Sequence, residues 1–190
     1  MKHTFREQLK EKRRGIAAGL YAEKCKKIGQ LLLHLAEYLK AEHVLFYVST
    51  PEEVDTHEMI KAAVESGKKV YLPKTVNDEL LIYPFNNFEE LESGAHGILE
   101  PTTCTESVDP TKMDLIVVPG VGFDHRGHRL GRGEGHYDRL LKKTGAYKVG
   151  LAFEEQLVPE LPIEDHDVPV DVLLTGRNLL YFKHTNPLAS

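Results

Sequence analysis

Apolar residues recur along this chain in two rhythms. Between Tyr21 and Lys40 the positions Ile28, Leu31, Leu32, Leu35 and Leu39 repeat at helical spacing, which predicts one amphipathic core helix over residues 21–40. Residues 2–14 carry a second helical pattern. Phe5 and Leu9 share one face, and Lys2, Arg6 and Lys10 share another at a spacing of four. Short apolar runs make the other rhythm: His43–Val48, Lys69–Leu72, Leu80–Phe85, Asp114–Val118, Lys148–Phe153 and Asp171–Thr175. Their length and their β-branched and aromatic content predict strands. Pro73 is expected to close the second run, and Pro84 to put the third at a sheet edge. Asp171–Thr175 is expected to be the last strand. Further helices are expected over residues 57–65, stopping near Gly67 with Asp55 or Thr56 as cap, and from about Glu134 to Lys143.

A strand, a helix and a strand joined by short connections are the pattern of a parallel sheet, so the fold class is α/β. In such sheets ligands sit beyond the carboxyl ends of the strands. The polar turn after Val48, with Glu52, Glu53 and Asp55, therefore lies on the ligand side, although from this segment alone a solvated turn is the favoured account of those carboxylates. No repeat, low-complexity tract or break in composition divides the chain. One domain over residues 1–190 is expected, with 183–190 as a frayed tail.

The stretch that carries chemistry runs from Val117 to Leu141. It holds six of the chain's 15 glycines, together with Arg126, Arg129 and Arg132. It leaves a strand and runs into a helix start. Glycines let the backbone approach a ligand, helix-start N–H groups favour an anion, and forked guanidinium groups suit phosphate oxygens. A structural loop gains nothing from concentrating like charges, so the pattern predicts a phosphate cradle. It matches neither the P-loop nor the dinucleotide fingerprint. Phosphate held by arginines commonly arrives with Mg²⁺, which Asp138 and Asp167 could ligate; a turn or helix-start role for either stays open. The arginines between His125, His128 and His136 argue against zinc. The chain has no Gly-x-Ser-x-Gly elbow and no cysteine beside an obvious base, which favours phosphoryl transfer over covalent catalysis.

Composition narrows the partners. A net charge of −5 and a pI near 6.1 speak against a dedicated nucleic-acid binder. Cys25 and Cys104 are too few for a disulfide framework. The first residues are charged, and no apolar run approaches membrane-spanning length. A cytoplasmic monomer acting on small molecules, with neither nucleic acid nor membrane as partner, is expected.

The segment Pro119-Gly-Val-Gly-Phe-Asp-His-Arg-Gly-His-Arg-Leu-Gly-Arg-Gly-Glu-Gly-His-Tyr-Asp138 resembles the signature of the 5-formyltetrahydrofolate cyclo-ligase (methenyltetrahydrofolate synthetase) family. Lys2 to Arg6, Glu53-Val54-Asp55-Thr56, Gly97-Ile98-x-Glu100-Pro101, Gly150-Leu151-Ala152-Phe153-x-x-Gln156 and Asp167-x-x-x-Asp171 match in the same order. The resemblance covers nearly the whole chain. It implies a three-layer α/β sandwich with a mostly parallel, Rossmann-like sheet. It implies ATP- and Mg²⁺-dependent closure of 5-formyltetrahydrofolate to 5,10-methenyltetrahydrofolate, with ADP and phosphate released after the formyl oxygen is phosphorylated. By the same resemblance ATP meets Lys2, Arg6, Arg129, Leu130, Gly131, Arg132, Gly133, Glu134, Gly135, His136 and Tyr137, with Arg129, Arg132 and Tyr137 nearest the chemistry. The folate meets Val48, Glu53, Arg132, Gly133, Gly135 and His136. Asp138 and Asp167 hold magnesium. The sequence departs from the family pattern at His136, where tyrosine is usual, and at His96, where an aromatic residue is usual. Glu134 is expected to turn away from phosphates as a first-turn helix residue. Two other readings remain beside this one: a relative that uses ATP on a different formyl or amide substrate, and a non-catalytic anion- or RNA-binding module.

Overall fold

Alternation within the short apolar runs puts successive side chains on opposite faces of one sheet, and each face is covered. The computed structural model describes residues 1–94, 97–102 and 106–183. Its strands are β1 (His43–Leu45), β2 (Lys69–Val76), β3 (Glu79–Phe85), β4 (Leu91–Ser93), β5 (Leu99–Pro101), β6 (Leu115–Val118), β7 (Gly122–Asp124), β8 (Arg129–Leu130), β9 (Tyr147–Leu151), β10 (Leu157–Val158), β11 (Val172–Leu174) and β12 (Leu179–Tyr181). The α-helices are α1 (Lys2–Arg14), α2 (Ala18–His34), α3 (Ala36–Lys40), α4 (His57–Glu65) and α5 (His136–Leu141). The main sheet runs β12-β11-β9-β6-β1-β2-β3. Its inner pairings are parallel, and β12 and β3 close the two edges antiparallel.

Val44, Leu115, Val117, Val149, Val172 and Leu174 meet Ile28 and Leu32 of α2, Tyr38 of α3 and Ile60 of α4 on one face. Leu45, Ile116, Val118 and Leu173 meet Phe123 and the α5 residues Leu140 and Leu141 on the other. Helix, sheet and helix form the expected three layers. A small sheet, β10-β7-β8, sits beside them. Helix α1 packs on it through Phe5 and Leu9, against Val121, Leu130, Val158 and Leu161.

The structure departs from the sequence expectations at four places. The helix expected over 21–40 breaks at Leu35, whose backbone is extended (φ −66°, ψ 126°). The break resets the helical register, so Tyr38 turns inward at 2% exposure and Leu39 lies outside at 63%. Strand β2 does not close at Pro73 but runs to Val76. Strand β1 accompanies it only as far as Tyr71, so a residue without an N–H is tolerated two positions further on. Strand β3 is the expected edge, joined to β2 by the two-residue turn Asn77-Asp78 (φ 49° and 63°), a left-handed pair that Asn and Asp adopt readily. Asp171–Thr175 is not the last strand, since β12 folds back on β11. Helix α5 begins at His136 rather than near Glu134, because Gly135 is left-handed (φ 70°, ψ 11°). Most of the expected tail, residues 184–190, lies outside the described residues, as do His96 and Cys104.

Candidate active site

A cleft of about 980 Å³ opens between α1, the loop after β1, the β2–β3 hairpin, the loop after β6 and the start of α5. It lies beyond the carboxyl ends of β1, β2 and β6, where a parallel sheet leaves its ligand crevice. All the site residues expected from the sequence line it: Lys2, Arg6, Val48, Glu53, every residue from Arg129 to Asp138, and Asp167.

The glycine- and arginine-rich stretch divides into two parts with different work. Its first part is a structural hairpin, β7–β8, turned around the fully buried Asp124. That carboxylate accepts from the N–H groups of Arg126 (2.9 Å), His128 (3.0 Å) and Leu161 (3.1 Å) and contacts His128 Nδ1 at 2.9 Å. Burial acts to raise the Asp124 carboxyl, yet these hydrogen bonds hold it below its ordinary value. Arg126 pairs on the surface with Glu160 at 3.4 Å and takes no part in the cleft. The second part, Gly131 to Gly135, is the cleft wall. Gly133 has φ +119°, a conformation open to glycine and strained for other residues. The backbone N–H groups of Arg132, Gly133 and Gly135 donate to no group among the described residues. Three amide donors thus line an open wall beside guanidinium groups, as an anion site requires.

The cations differ in how they are held. Arg6 donates through Nε to the Gly131 carbonyl at 2.8 Å, and its terminal nitrogens lie over Gly133 with no hydrogen-bond partner among the described residues. Arg132 is the most open of the loop arginines in the cleft, with 42% of its side chain exposed, and pairs with Glu53 Oε1 at 2.8 Å. Arg129, expected by resemblance to meet ATP, lines the cleft but is already paired within the protein. It is buried, donates to the Pro119 carbonyl at 3.2 Å and pairs with Asp138 Oδ1 at 3.1 Å, so it holds Asp138 and the strand end in place. Its ring-facing side lies 5.7 Å from the Tyr137 centroid. Burial first, and the Glu53 carboxylate second, push the Tyr137 phenol above its ordinary value. The hydroxyl therefore stays protonated at neutral pH, and it donates to no group among the described residues.

Lys2 sits at the other end of the cleft, 2.8 Å from Asp167 Oδ2 and 3.1 Å from Glu164. Burial works against the Lys2 ammonium, but the two carboxylates outweigh it and raise its pKa; burial likewise opposes the Asp167 carboxylate, which Lys2 and the Glu164 N–H hold below the ordinary value. The two aspartates suit a hard cation. The close protein contacts fall on Oδ1 of Asp138, which also accepts the Val168 N–H at 3.1 Å, and on Oδ2 of Asp167. The second oxygen of Asp167 lies 3.5 Å from His166 Nε2, and both aspartates line the cleft, the kind of carboxylate that a hard cation shares with phosphate oxygens. Glu134 is outside α5, contrary to the helix-start expectation. Its carboxylate lies 3.2 Å from His136 Nδ1.

Several lining residues escape the sequence pattern. Arg13 is 8% exposed and pairs with Glu52 at 3.1 Å, beside Arg14 at 2.8 Å. Continuing the Lys2-Arg6-Lys10 stripe by a further three or four residues reaches Arg13 and Arg14. Thr75 and Leu80 come from the hairpin that the Pro73 expectation hid. Gln156, which the family pattern includes, lies behind the cleft rather than in its lining and is 1% exposed. It accepts from the Phe153 N–H at 3.0 Å and donates to the carbonyls of Gly120 (2.9 Å) and Val121 (3.1 Å), fixing the loop that leaves β6.

The fold is α/β, with a cleft at the carboxyl edge of its parallel sheet that is walled by a cationic glycine loop. Residues 1–176 match the model of the 5-formyltetrahydrofolate cyclo-ligase family, and the chain belongs to that family. It is 31% identical to the 5-formyltetrahydrofolate cyclo-ligase of Escherichia coli K12, over 88% of this chain and 96% of that one. It is 29% identical to the mouse 5-formyltetrahydrofolate cyclo-ligase, over 91% and 92%. The solved structure of Aquifex aeolicus 5,10-methenyltetrahydrofolate synthetase superposes with a TM-score of 0.87 and 35% identity, covering 100% of this chain and 96% of that one. Among the described residues no helix is long and apolar enough to cross a membrane.

Proposed function

We propose that this chain uses ATP and Mg²⁺ to cyclise 5-formyltetrahydrofolate to 5,10-methenyltetrahydrofolate, releasing ADP and phosphate. The observation that carries the reading is the cleft wall itself. Arg132, Gly133 and Gly135, whose N–H groups have no partner among the described residues, line one cleft together with Arg6, whose guanidinium ends have no partner there either, and with the Glu53 carboxylate and Tyr137. The loop amides and arginines suit a triphosphate, Glu53 suits the hydrogen-bonding edge of a pterin, and Tyr137 suits an oxygen that gains charge between them.

The formyl oxygen attacks the γ-phosphorus, forming a P–O bond as the bond to the β-phosphate oxygen breaks and ADP leaves. The second folate nitrogen then attacks the activated formyl carbon and loses its proton, the ring closes, and inorganic phosphate departs with the former formyl oxygen and one proton. Loop amides and the guanidinium groups of Arg6 and Arg132 hold the phosphate oxygens in line. Arg129 fixes Asp138, and Lys2 fixes Asp167. Tyr137 donates a hydrogen bond toward charge developing on oxygen. A magnesium ion held by Asp138 and Asp167 would supply further neutralisation of the phosphate charge.

The test is direct. Purified protein is mixed with 5-formyltetrahydrofolate, ATP and Mg²⁺, and methenyltetrahydrofolate is followed by its absorbance. Product that requires both ATP and Mg²⁺ is expected. Well-folded protein that makes none overturns the reading, and ATP use on another formyl compound with no folate binding would point to a different substrate.

A further inference from the structure

The tip of the β2–β3 hairpin is fastened to the phosphate loop across the mouth of the cleft. Asp78, in the left-handed turn, places Oδ1 2.8 Å from His136 Nε2. Its backbone carbonyl accepts from Arg139 Nη2 at 2.8 Å, and its Oδ2 lies 3.5 Å from the same nitrogen. The other ring nitrogen of His136 faces Glu134 at 3.2 Å, and Arg139 Nη1 donates to the Glu134 carbonyl at 2.9 Å. The contacts therefore grip the chain on both sides of Gly135, the left-handed residue where the loop becomes α5.

The hairpin does not need this contact for its own register. Strands β2 and β3 pair continuously from Val70–Phe85 to Val76–Glu79, and the turn conformation comes from the backbone of Asn77 and Asp78. The Asp78 carboxylate is 82% exposed, whereas the His136 ring it holds is only 14% exposed. Asp78 lies outside the cleft lining, while His136, Glu134 and Gly135 lie in it. A glycine-rich loop with open amides has many conformations to lose when a ligand arrives, and holding it beforehand removes part of that cost.

We propose that Asp78 is a positioning residue, which acts through His136 to hold residues Gly131–His136 in the shape that receives phosphate oxygens. The proposal rests on the nucleotide reading of the cleft and adds a residue outside the cleft to it.

The variants are Asp78→Ala, Asp78→Asn, His136→Ala and the double variant Asp78→Ala/His136→Ala. Steady-state kinetics are measured on each, with amide hydrogen exchange of residues 131–137 in the ligand-free protein. Asp78→Ala should raise the KM for ATP about two- to fivefold, the scale of one ion pair at a partly exposed site. Its kcat and its KM for the folate should stay within about twofold, and its Tm should fall by no more than a few degrees, because Ala is less favourable than Asp at the left-handed turn position (φ 63°). Asp78→Asn, which keeps an acceptor, should recover part of the ATP effect. In the His136→Ala background the Asp78 change should add little. Exchange across 131–137 should quicken in Asp78→Ala. An unchanged ATP KM with unchanged exchange, equal rises in both KM values, or full additivity with His136→Ala overturns the proposal. If the wild type made no ATP-dependent product, the functional reading would fall, and the exchange comparison would still decide whether Asp78 holds the loop.

Discussion

Arg132 Nη2 donates to Glu53 Oε1 at 2.8 Å, joining the glycine loop to the turn after β1. The second Glu53 oxygen accepts the Thr50 N–H at 2.9 Å. In the ligand-free protein two groups suited to two different ligands neutralise each other. Arg132, with 42% of its side chain exposed against 11% for Glu53, is the partner with room to turn to a phosphate while Glu53 keeps its bond to Thr50. Arg132→Ala should raise the KM for ATP about tenfold to a hundredfold, from the loss of a charge-assisted hydrogen bond worth about 1.5–3 kcal/mol. Glu53→Gln keeps the shape but removes the charge, and should raise the folate KM more than the ATP KM. Initial rates over both substrates decide this, and an ATP dependence unchanged in Arg132→Ala contradicts the placement.

Gly133 tests the loop backbone without touching a charge. Its φ is +119°, and an added Cβ would come within 3.5 Å of the Arg6 guanidinium. Steric room is adequate, so the cost is conformational, on the order of 1–3 kcal/mol for a non-glycine residue in this region. An exposed loop can relax that strain by moving, at the expense of the amide positions. Gly133→Ala should therefore keep its Tm within about 4 °C of wild type while the KM for ATP rises several-fold. A large fall in Tm with normal kinetics would show that the loop supports the fold rather than the ligand.

Much of this arrangement was legible in the residue pattern, for identifiable physical reasons. The alternation of Leu115 to Val118 and of Val172 to Leu174 reports two covered sheet faces, and both are found. The glycine loop and the Lys2-Arg6 face point to one cleft, and they meet there. What stayed hidden depends on tertiary choices. Nothing local distinguishes Leu35 as a helix break, because its side chain is buried in either conformation. Pro73 misled because the penalty for a missing N–H depends on which strand runs alongside. The destinations of Arg126 and Arg129, one on the surface and one buried against Asp138, are set by β7 and β8, which are too short to read in a glycine-rich stretch. Spacing shows that charges are concentrated and leaves open which of them are already paired.

Asp124 gives the stability a specific acid limb. Its carboxylate is fully buried and held below the ordinary value of 3.8 by three backbone N–H groups and His128. A depressed carboxyl contributes stability that is fully present above the ordinary value and is lost as pH falls through the lower folded-state value. Asp124→Asn should cost about 1.5–3 kcal/mol at neutral pH, a Tm fall of roughly 3–12 °C, and should flatten the acid limb below pH ~4. Calorimetry from pH 3 to 7 on both proteins checks this. Parallel acid limbs in the two would show that other carboxylates govern acid unfolding.

Gln156 should couple stability to catalysis from beneath the site. It is 1% exposed, and its amide serves the Phe153 N–H together with the carbonyls of Gly120 and Val121. Gln156→Leu has nearly the same volume and leaves those three backbone groups without their partner, at about 1–3 kcal/mol for a buried unsatisfied group. Gln156→Glu keeps an acceptor for Phe153 but sets carboxylate oxygens against two carbonyls, so at neutral pH it should be the less stable of the two. Because Gly120 and Val121 begin the connection from β6 to the glycine loop, both variants should also raise the KM for ATP. The measurements are Tm and ATP kinetics on the same preparations. A Gln156→Leu protein with wild-type Tm would mean that the Phe153, Gly120 and Val121 backbone groups find other partners, and with wild-type KM it would mean that the loop is positioned from β7 and β8 alone.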